Sequence, residues 1–272
     1  MQRFCQKGEE FLKEKRWIFY DRTMFREEKR QRSMDFATAV WEEDYEQVLQ
    51  TSFLEKKIAY HSYPFASIIL VINNVLDPKR VLKKARELKI FTHIYLAPTF
   101  AEEIFSHFQI SVSTLSLGKQ QAAYPHLDDS WVYYNALAPL AAIYFSQARY
   151  LLYCTGDVYL EQPIFWIPEA IDLLAKKPIY VANLLWNHKY EEAKEEASFA
   201  TPDYFLSKKG FSDQLFLIER ESFNRPIYSC LCSADQFPRG EVFEKRVFCH
   251  MQKEGWLRAT YKKGSYIHAT LF

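Results

Sequence analysis

The 272 residues carry 35 Lys and Arg against 34 Asp and Glu, a formal net charge of +1, so no overall field recruits nucleic acid. Hydrophobic residues at 49% and charged residues at 25% are the balance of a soluble globular chain long enough to bury one large core. Aromatics at 17% imply either a thick aromatic core or a cleft with flat walls that suit planar or sugar ligands.

Residues 1–32 read as a helical N-terminal extension and 33–272 as one domain. The opening "MQRFCQKGEEFLKEKRWIFY" is charged throughout and lacks a secretory apolar region, and no later run approaches a membrane span. A cytoplasmic protein is expected. Phe4, Phe11, Leu12, Trp17 and Phe19 give the first helix an apolar face that packs on its own domain or touches a partner or the inner face of the membrane. The stretch "RTMFREEKRQR" (22–32) is basic, but its acids dilute it. Cys5, Cys154, Cys230, Cys232 and Cys249 are odd in number and scattered, which argues against a disulfide framework or a zinc knuckle. They read as reduced, small buried side chains.

"DFATAV" (35–40) is a short apolar run that ends in an acidic loop, "WEEDYEQV". "FASIILVINNV" (65–75) is a buried strand that stops at Asn73-Asn74. "DPKRVLKKARELKI" (77–90) is a helix with Asp77 as N-cap, Pro78 at the first position, and Val81, Leu82, Ala85 and Leu88 at helical spacing. "THIYLAP" (92–98) is the next strand and completes a βαβ unit. A helix at about 100–108 and a strand at about 109–116 extend it. "WVYYNALAPLAAIYFSQA" (131–148) is a long helix that Pro139 should kink or divide. Buried strands follow at 149–155, 177–186 and 212–219. A helix at 241–255 and a closing hairpin at 257–271 complete the chain. The alternation predicts an α/β fold with a mostly parallel sheet flanked by helices, whose ligands bind outside the carboxyl ends of the strands. Asn73, Asp157 and the Trp41–Asp44 loop all fall on that rim.

The sequence holds no G-x-G-x-x-G, no P-loop, no G-x-S-x-G elbow and no H-E-x-x-H. Dinucleotide oxidoreductases, P-loop kinases and α/β-hydrolases are poorly supported on that ground. A sheet of this type without a glycine-rich phosphate cradle usually holds phosphates through a divalent cation on a carboxylate.

Four landmarks occur in order: "SIILVINNVLDP", "ARYLLYCTGDVYLEQP", "GFSDQLFLIERESF" and "SYIHA". Together they resemble the landmarks of GT-A-fold nucleotide-diphospho-sugar glycosyltransferases, from about residue 33 onward. "TGDVYLEQP" and "GFSDQ" are similar to an uncharacterised bacterial glycosyltransferase-like family with a TGDVxLEQP motif. The resemblance implies a GT-A-like (Rossmann-like) domain, a nucleotide-sugar donor, a glycan or other hydroxyl acceptor, and Mn2+ or Mg2+ as cofactor.

In such enzymes the first strand's end (here Val40 and Trp41) and the segment after the second strand contact the donor. Asn73 and Asn74 stand at the latter place, where amides can bond a base edge or ribose, or simply form a turn. The DxD position reads Thr155-Gly156-Asp157, so only the second acid is present. Asp157 is then the metal and diphosphate ligand, or else a turn-capping acid. Gly156 is expected to let the backbone approach the diphosphate.

His268 resembles the family's C-terminal metal-binding histidine, though a lone histidine in a strand is often just packed. Lys262 and Lys263 read as a solvated hairpin, with a contact to the diphosphate as the alternative. Asp213, after Gly210 in "GFSDQ", stands where inverting enzymes place the base, or it caps a helix or binds sugar hydroxyls. Asn183, Trp186, Asn187 and Gly210 are assigned to the sugar and acceptor, with Trp186 stacking on a pyranose or filling the core. The alternative to a transferase is a catalytically degenerate GT-A-like domain that binds a nucleotide or glycan, or serves as a scaffold. A nucleotidylyltransferase shares the sheet but needs a glycine-rich basic signature near the first strand, which is absent.

Overall fold

The computed structural model describes residues 32–110, 130–230 and 243–268. The expected helix at 1–32 lies outside them apart from Arg32, as does nearly all of the strand expected at 109–116. In chain order the elements are β1 (Met34–Val40), α1 (Tyr45–Val48), α2 (Thr51–Ala59), β2 (Ser67–Ile72), α3 (Pro78–Glu87) and β3 (His93–Leu96). A 3-10 turn (Ala97–Phe100) leads into α4 (Ala101–His107), followed by α5 (Ser130–Phe145), β4 (Tyr150–Thr155), β5 (Val158–Tyr159), α6 (Ile167–Leu174) and β6 (Ile179–Trp186). The remainder is α7 (Tyr190–Glu196), β7 (Phe199–Ala200), β8 (Tyr204–Ser207), β9 (Leu215–Glu219), α8 (Arg220–Phe223), α9 (Glu244–Glu254) and β10 (Leu257–His268).

The sheet runs β3-β2-β1-β4-β9-β6-β10-β8-β7, with β5 paired to β10 off this path. β3, β2, β1 and β4 are mutually parallel. β9 lies antiparallel between β4 and β6, so β6 regains the common direction and β10 shares it. β8 reverses again and β7 reverses back. Seven of these nine strands therefore point one way, and the mostly parallel α/β sheet read from the sequence is the one present.

β1 sits mid-sheet with all seven residues buried, which explains why its sequence is nearly continuous in apolar character. Its side chains still alternate. Ala37 and Ala39 face a core built with α4, α5 and α9, while Met34 and Phe36 face the core under α6. Val40 joins α1 and α3 in a third cluster. Helices thus cover both faces of the sheet.

Local chemistry sets several boundaries. Asp77 caps α3 by accepting the Arg80 N–H at 3.1 Å, with Pro78 behind it, as the sequence predicts. α5 runs unbroken through Pro139 and stops at Phe145, earlier than expected. Its end is set by the buried Asp35 carboxylate. That group accepts from Ser146 Oγ at 2.8 Å and from the Gln147 and Ala148 N–H groups at 2.8 and 3.0 Å.

Three other readings are corrected. The loop read over 41–48 contains the short helix α1. The closing hairpin is one strand, β10, which shifts register between Tyr261 and Ser265 and then resumes its ladder with β6. A bulge absorbs the polar Lys262–Lys263–Gly264 run where a reversal was expected. Cys154 and Cys230 are free thiols, but Cys249 is disulfide-bonded. Among the described residues no helix is long and apolar enough to cross a membrane.

Candidate functional site

Because β1, β2, β4, β6 and β10 share a direction, their carboxyl ends form one edge. Val40, Asn73, Thr155, Trp186 and His268 all arrive there at strand ends. Asp213 precedes a strand, yet it reaches the same edge because β9 runs the opposite way. The register pairs Cys154 with Leu215, and the Thr155 N–H donates to the Gln214 carbonyl at 2.9 Å. The reversed strand is what brings "GFSDQ" to "TGD".

At the centre, Asp157 and His268 touch. Oδ2 of Asp157 lies 2.9 Å from Nε2 of His268, and Thr155 Oγ1 donates to Asp157 Oδ1 at 2.8 Å. Burial pushes the Asp157 carboxyl up, but the His268 hydrogen bond and charge, the Thr155 hydroxyl and the Lys57 charge together hold it below the ordinary carboxylate range. The bond to Asp157 raises His268 above its usual value, against burial. Burial raises Asp213, with the nearby Asp157 charge adding to it and a backbone hydrogen bond and His268 opposing it. One edge therefore holds a carboxylate kept ionised beside an imidazole and another made more basic, a separation that suits division of labour.

The turn that presents Asp157 is built from beneath. Lys57 is 2% exposed and donates to the carbonyls of Thr155, Gly156 and Val158 at 2.5, 3.0 and 2.5 Å. These three carbonyls flank Asp157 and turn inward, while its carboxylate stays a quarter exposed at the rim. Lys57 escaped the sequence reading. Its signal was a cation three residues after Leu54 on the buried stripe of α2.

Gly156 is required by its protein neighbours. A Cβ there would lie 2.4 Å from Asp44 Oδ2 and 2.6 Å from the Ala39 carbonyl. Asp44, 2% exposed, also accepts the Trp41 N–H at 2.8 Å. Its carboxyl is pushed up to about 7, chiefly by burial.

The residues expected to face a donor form a shared corner. The Asn73 N–H donates to the Val40 carbonyl at 2.9 Å, and the Glu42 N–H to the Asn74 carbonyl at 3.1 Å. Asn74 adopts a left-handed φ of +49°, which asparagine tolerates. Trp186 exposes its ring at the end of β6, with Lys189 Nζ 3.7 Å from the ring centroid, so it is not core filler.

Other assigned residues sit elsewhere. Asn183 is buried three residues before the end of β6, and its Oδ1 accepts from Thr260 at 2.8 Å. Gly210 adopts φ +75° and lies against Arg258, whose Nη1 would be 2.6 Å from an added Cβ. Lys263 pairs with Asp203, and Lys262 donates to the Thr201 carbonyl at 2.5 Å. Tyr266, which was not foreseen, meets Ser212 Oγ at 3.1 Å and Gln214 Oε1 at 3.4 Å, bracketing Asp213.

The Asp157–His268 donor set fits a divalent cation. An imidazole nitrogen and a carboxylate oxygen are donor types that such ions accept, and here the two atoms stand together, hydrogen-bonded to one another at 2.9 Å. Among the described residues no third His, Cys, Asp or Glu completes a protein-only site. A cation here would take its remaining ligands from water and a bound anion.

No family model matches the sequence, and no curated protein matches it. Among solved structures, the chain is similar to glucosyl-3-phosphoglycerate synthase from Mycobacterium tuberculosis in complex with Mn2+, uridine-diphosphate and phosphoglyceric acid. That match has 12% identity over 71% of this chain and 57% of that one, with TM-score 0.36. It is also similar to S. aureus TarS 1–349, at 10% identity over 87% and 60%, with TM-score 0.43. A third is the galactosyltransferase LgtC in complex with donor and acceptor sugar analogs, at 15% identity over 70% and 59%, with TM-score 0.35. The chain spans less than two thirds of each of these three structures.

Proposed function

We propose that the chain transfers a glycosyl group from a nucleotide-diphospho-sugar to a hydroxyl of a saccharide or other acceptor. The observation that carries this reading is the meeting, at one sheet edge, of the Asp157–His268 pair with the more basic Asp213. Asp157 and His268 hold Mn2+ or Mg2+ in this reading. The ion, when bound, neutralises the charge that grows on the departing diphosphate. Asp213 accepts the acceptor hydroxyl's proton as the new glycosidic bond forms and the bond to the diphosphate breaks. Its burial supports that role, since a raised pKa makes a better base. Trp41, Asn73 and Asn74 line the nucleoside side, Thr155 orients Asp157, and the Trp186 ring offers a face to the sugar.

Thermal denaturation with UDP-, GDP- and dTDP-linked sugars, each with and without Mn2+, tests the donor class. A donor at a hundred times its Kd should add about 2.7 kcal/mol to stability. For a domain of this size that raises Tm by roughly 5–10 °C. The shift should need Mn2+ and vanish in Asp157→Ala. No shift with any donor would overturn the reading. A shift without turnover would favour the nucleotide-binding alternative, which the single acid of "TGD" otherwise motivates.

A further inference from the structure

Asn187 follows the last residue of β6 and adopts φ +45°. Its N–H donates to the Tyr266 carbonyl at 2.9 Å, one step beyond the Trp186–Tyr266 register of the β6–β10 ladder. There the β6 backbone turns away and the Asn187 side chain takes over. Oδ1 accepts the His268 N–H at 2.8 Å, and Nδ2 donates to the His268 carbonyl at 3.2 Å. The amide thus mimics one more residue of the strand. On its other side β10 is held by β5, which pairs Val158 with His268 and Tyr159 with Ile267. The neighbouring turn is fastened by the same strand, since the His188 N–H donates to Ser265 Oγ at 2.8 Å and that hydroxyl donates to the Leu185 carbonyl at 3.0 Å.

We propose that Asn187 is a positioning residue: its amide fixes the His268 backbone so that the imidazole meets Asp157, and it does not bind sugar. His268 is the last residue of β10, and strand ends open most readily. Without the amide, the backbone pairing left to His268 among the described residues would be the short β5 ladder. Both kinds of polar atom on the Asn187 amide are already engaged with one residue's backbone, in the orientation that continues the ladder. A sugar contact would have to compete with that pairing. The inference rests on the reading of Asp157 and His268 as a cation pair, and it makes the pair's geometry depend on a side chain bonded to the His268 backbone.

The test uses Asn187→Gly, which keeps the left-handed backbone without strain and removes only the amide. Mn2+ alone is titrated into the full chain and the free ion is read by electron paramagnetic resonance, with His268→Ala as the reference for a lost ligand. Loss of a group that orients a metal-binding histidine weakens affinity by about 10–100-fold, and that loss is expected here. Unchanged Mn2+ affinity in Asn187→Gly would overturn the proposal.

If the wild type itself binds no Mn2+, the cation reading fails, and positioning is read directly from the His268 ring. Its 15N resonances should show the hydrogen bond of Nε2 to Asp157 in the wild type. They should shift towards those of a free imidazole in Asn187→Gly. An unchanged ring spectrum would refute positioning whatever the ion does. Asn187→Asp keeps the acceptor and loses the Nδ2 donor, so the same ring signal should weaken partly. That variant covers the case in which Asn187→Gly does not fold, and an unaltered signal in it would count equally against the proposal.

Discussion

Replacing Lys57 by methionine should weaken the fold and the rim together. The ammonium is buried and donates to three carbonyls at 2.5, 3.0 and 2.5 Å. Hydrogen bonds to a charged group contribute roughly 1.5–3 kcal/mol each, so three lost bonds amount to roughly 5–9 kcal/mol. Methionine also relieves the cost of burying the charge, which returns several kcal/mol. A net loss of about 3 kcal/mol is expected, a large share of a typical stability of about 5–15 kcal/mol. For a domain of this size that lowers Tm by roughly 6–12 °C. Urea denaturation followed by circular dichroism measures it, with Lys56→Met as control, because Lys56 is exposed on the same helix. Equal midpoints for the two variants would refute the clamp. So would a Lys57→Met protein that retains full Mn2+ affinity, since Asp157 is held from both sides by the carbonyls Lys57 gathers.

Gly156→Ala should cost more than an ordinary surface change, because the methyl would meet Asp44 Oδ2 and the Ala39 carbonyl, both closer than 3 Å. A drop of roughly 2–4 kcal/mol in the urea titration is expected, whereas a change within about 0.5 kcal/mol would show that the turn gives way. Asp44→Asn should change how stability depends on pH. The Asp44 carboxyl rises from 3.8 to about 7 on folding, mainly through burial. The folded chain thus keeps a proton that the unfolded chain has released, so the contribution of Asp44 to stability falls as pH rises from about 4 to about 7 and then levels. The asparagine variant lacks that slope, and its stability relative to the wild type should climb by up to about 4 kcal/mol across the window. A difference that stays flat from pH 4 to 8 would contradict the burial argument.

The fold class was legible because β1, β2 and β4 are buried on both faces and their apolar runs are nearly continuous. The cap at Asp77 was legible because its chemistry is local. Strand direction was not, since "SDQLFLIE" reads the same whichever way β9 runs. Yet that direction decides whether Asp213 reaches Asp157. β10 resembled a hairpin because Lys262, Lys263 and Gly264 have turn character. Only the ladder with β6, resumed at Ser265, shows that the chain continues. Asp157 and His268 were both visible as candidates, but their contact depends on β5 pairing with the end of β10 across more than a hundred residues. Lys57 and Asn187 act on backbone groups far away in sequence, and no spacing rule connects a lysine on α2 with three carbonyls after β4. Gly156 and Gly210 stood out as glycines, but their neighbours, Asp44 and Arg258, come from other strands and loops.

The most direct test of the central claim is release of nucleoside diphosphate from UDP-, GDP- and dTDP-linked sugars in Mn2+ by the full chain. It is measured for the wild type, Asp157→Ala and Asp213→Asn. The account predicts that the wild type splits at least one donor, that Asp157→Ala loses both binding and release, and that Asp213→Asn binds the donor but turns it over at least a hundredfold more slowly, the usual scale of a missing general base. Wild-type protein that releases nothing from any donor, or an Asp157→Ala variant that releases it as fast as the wild type, would contradict it.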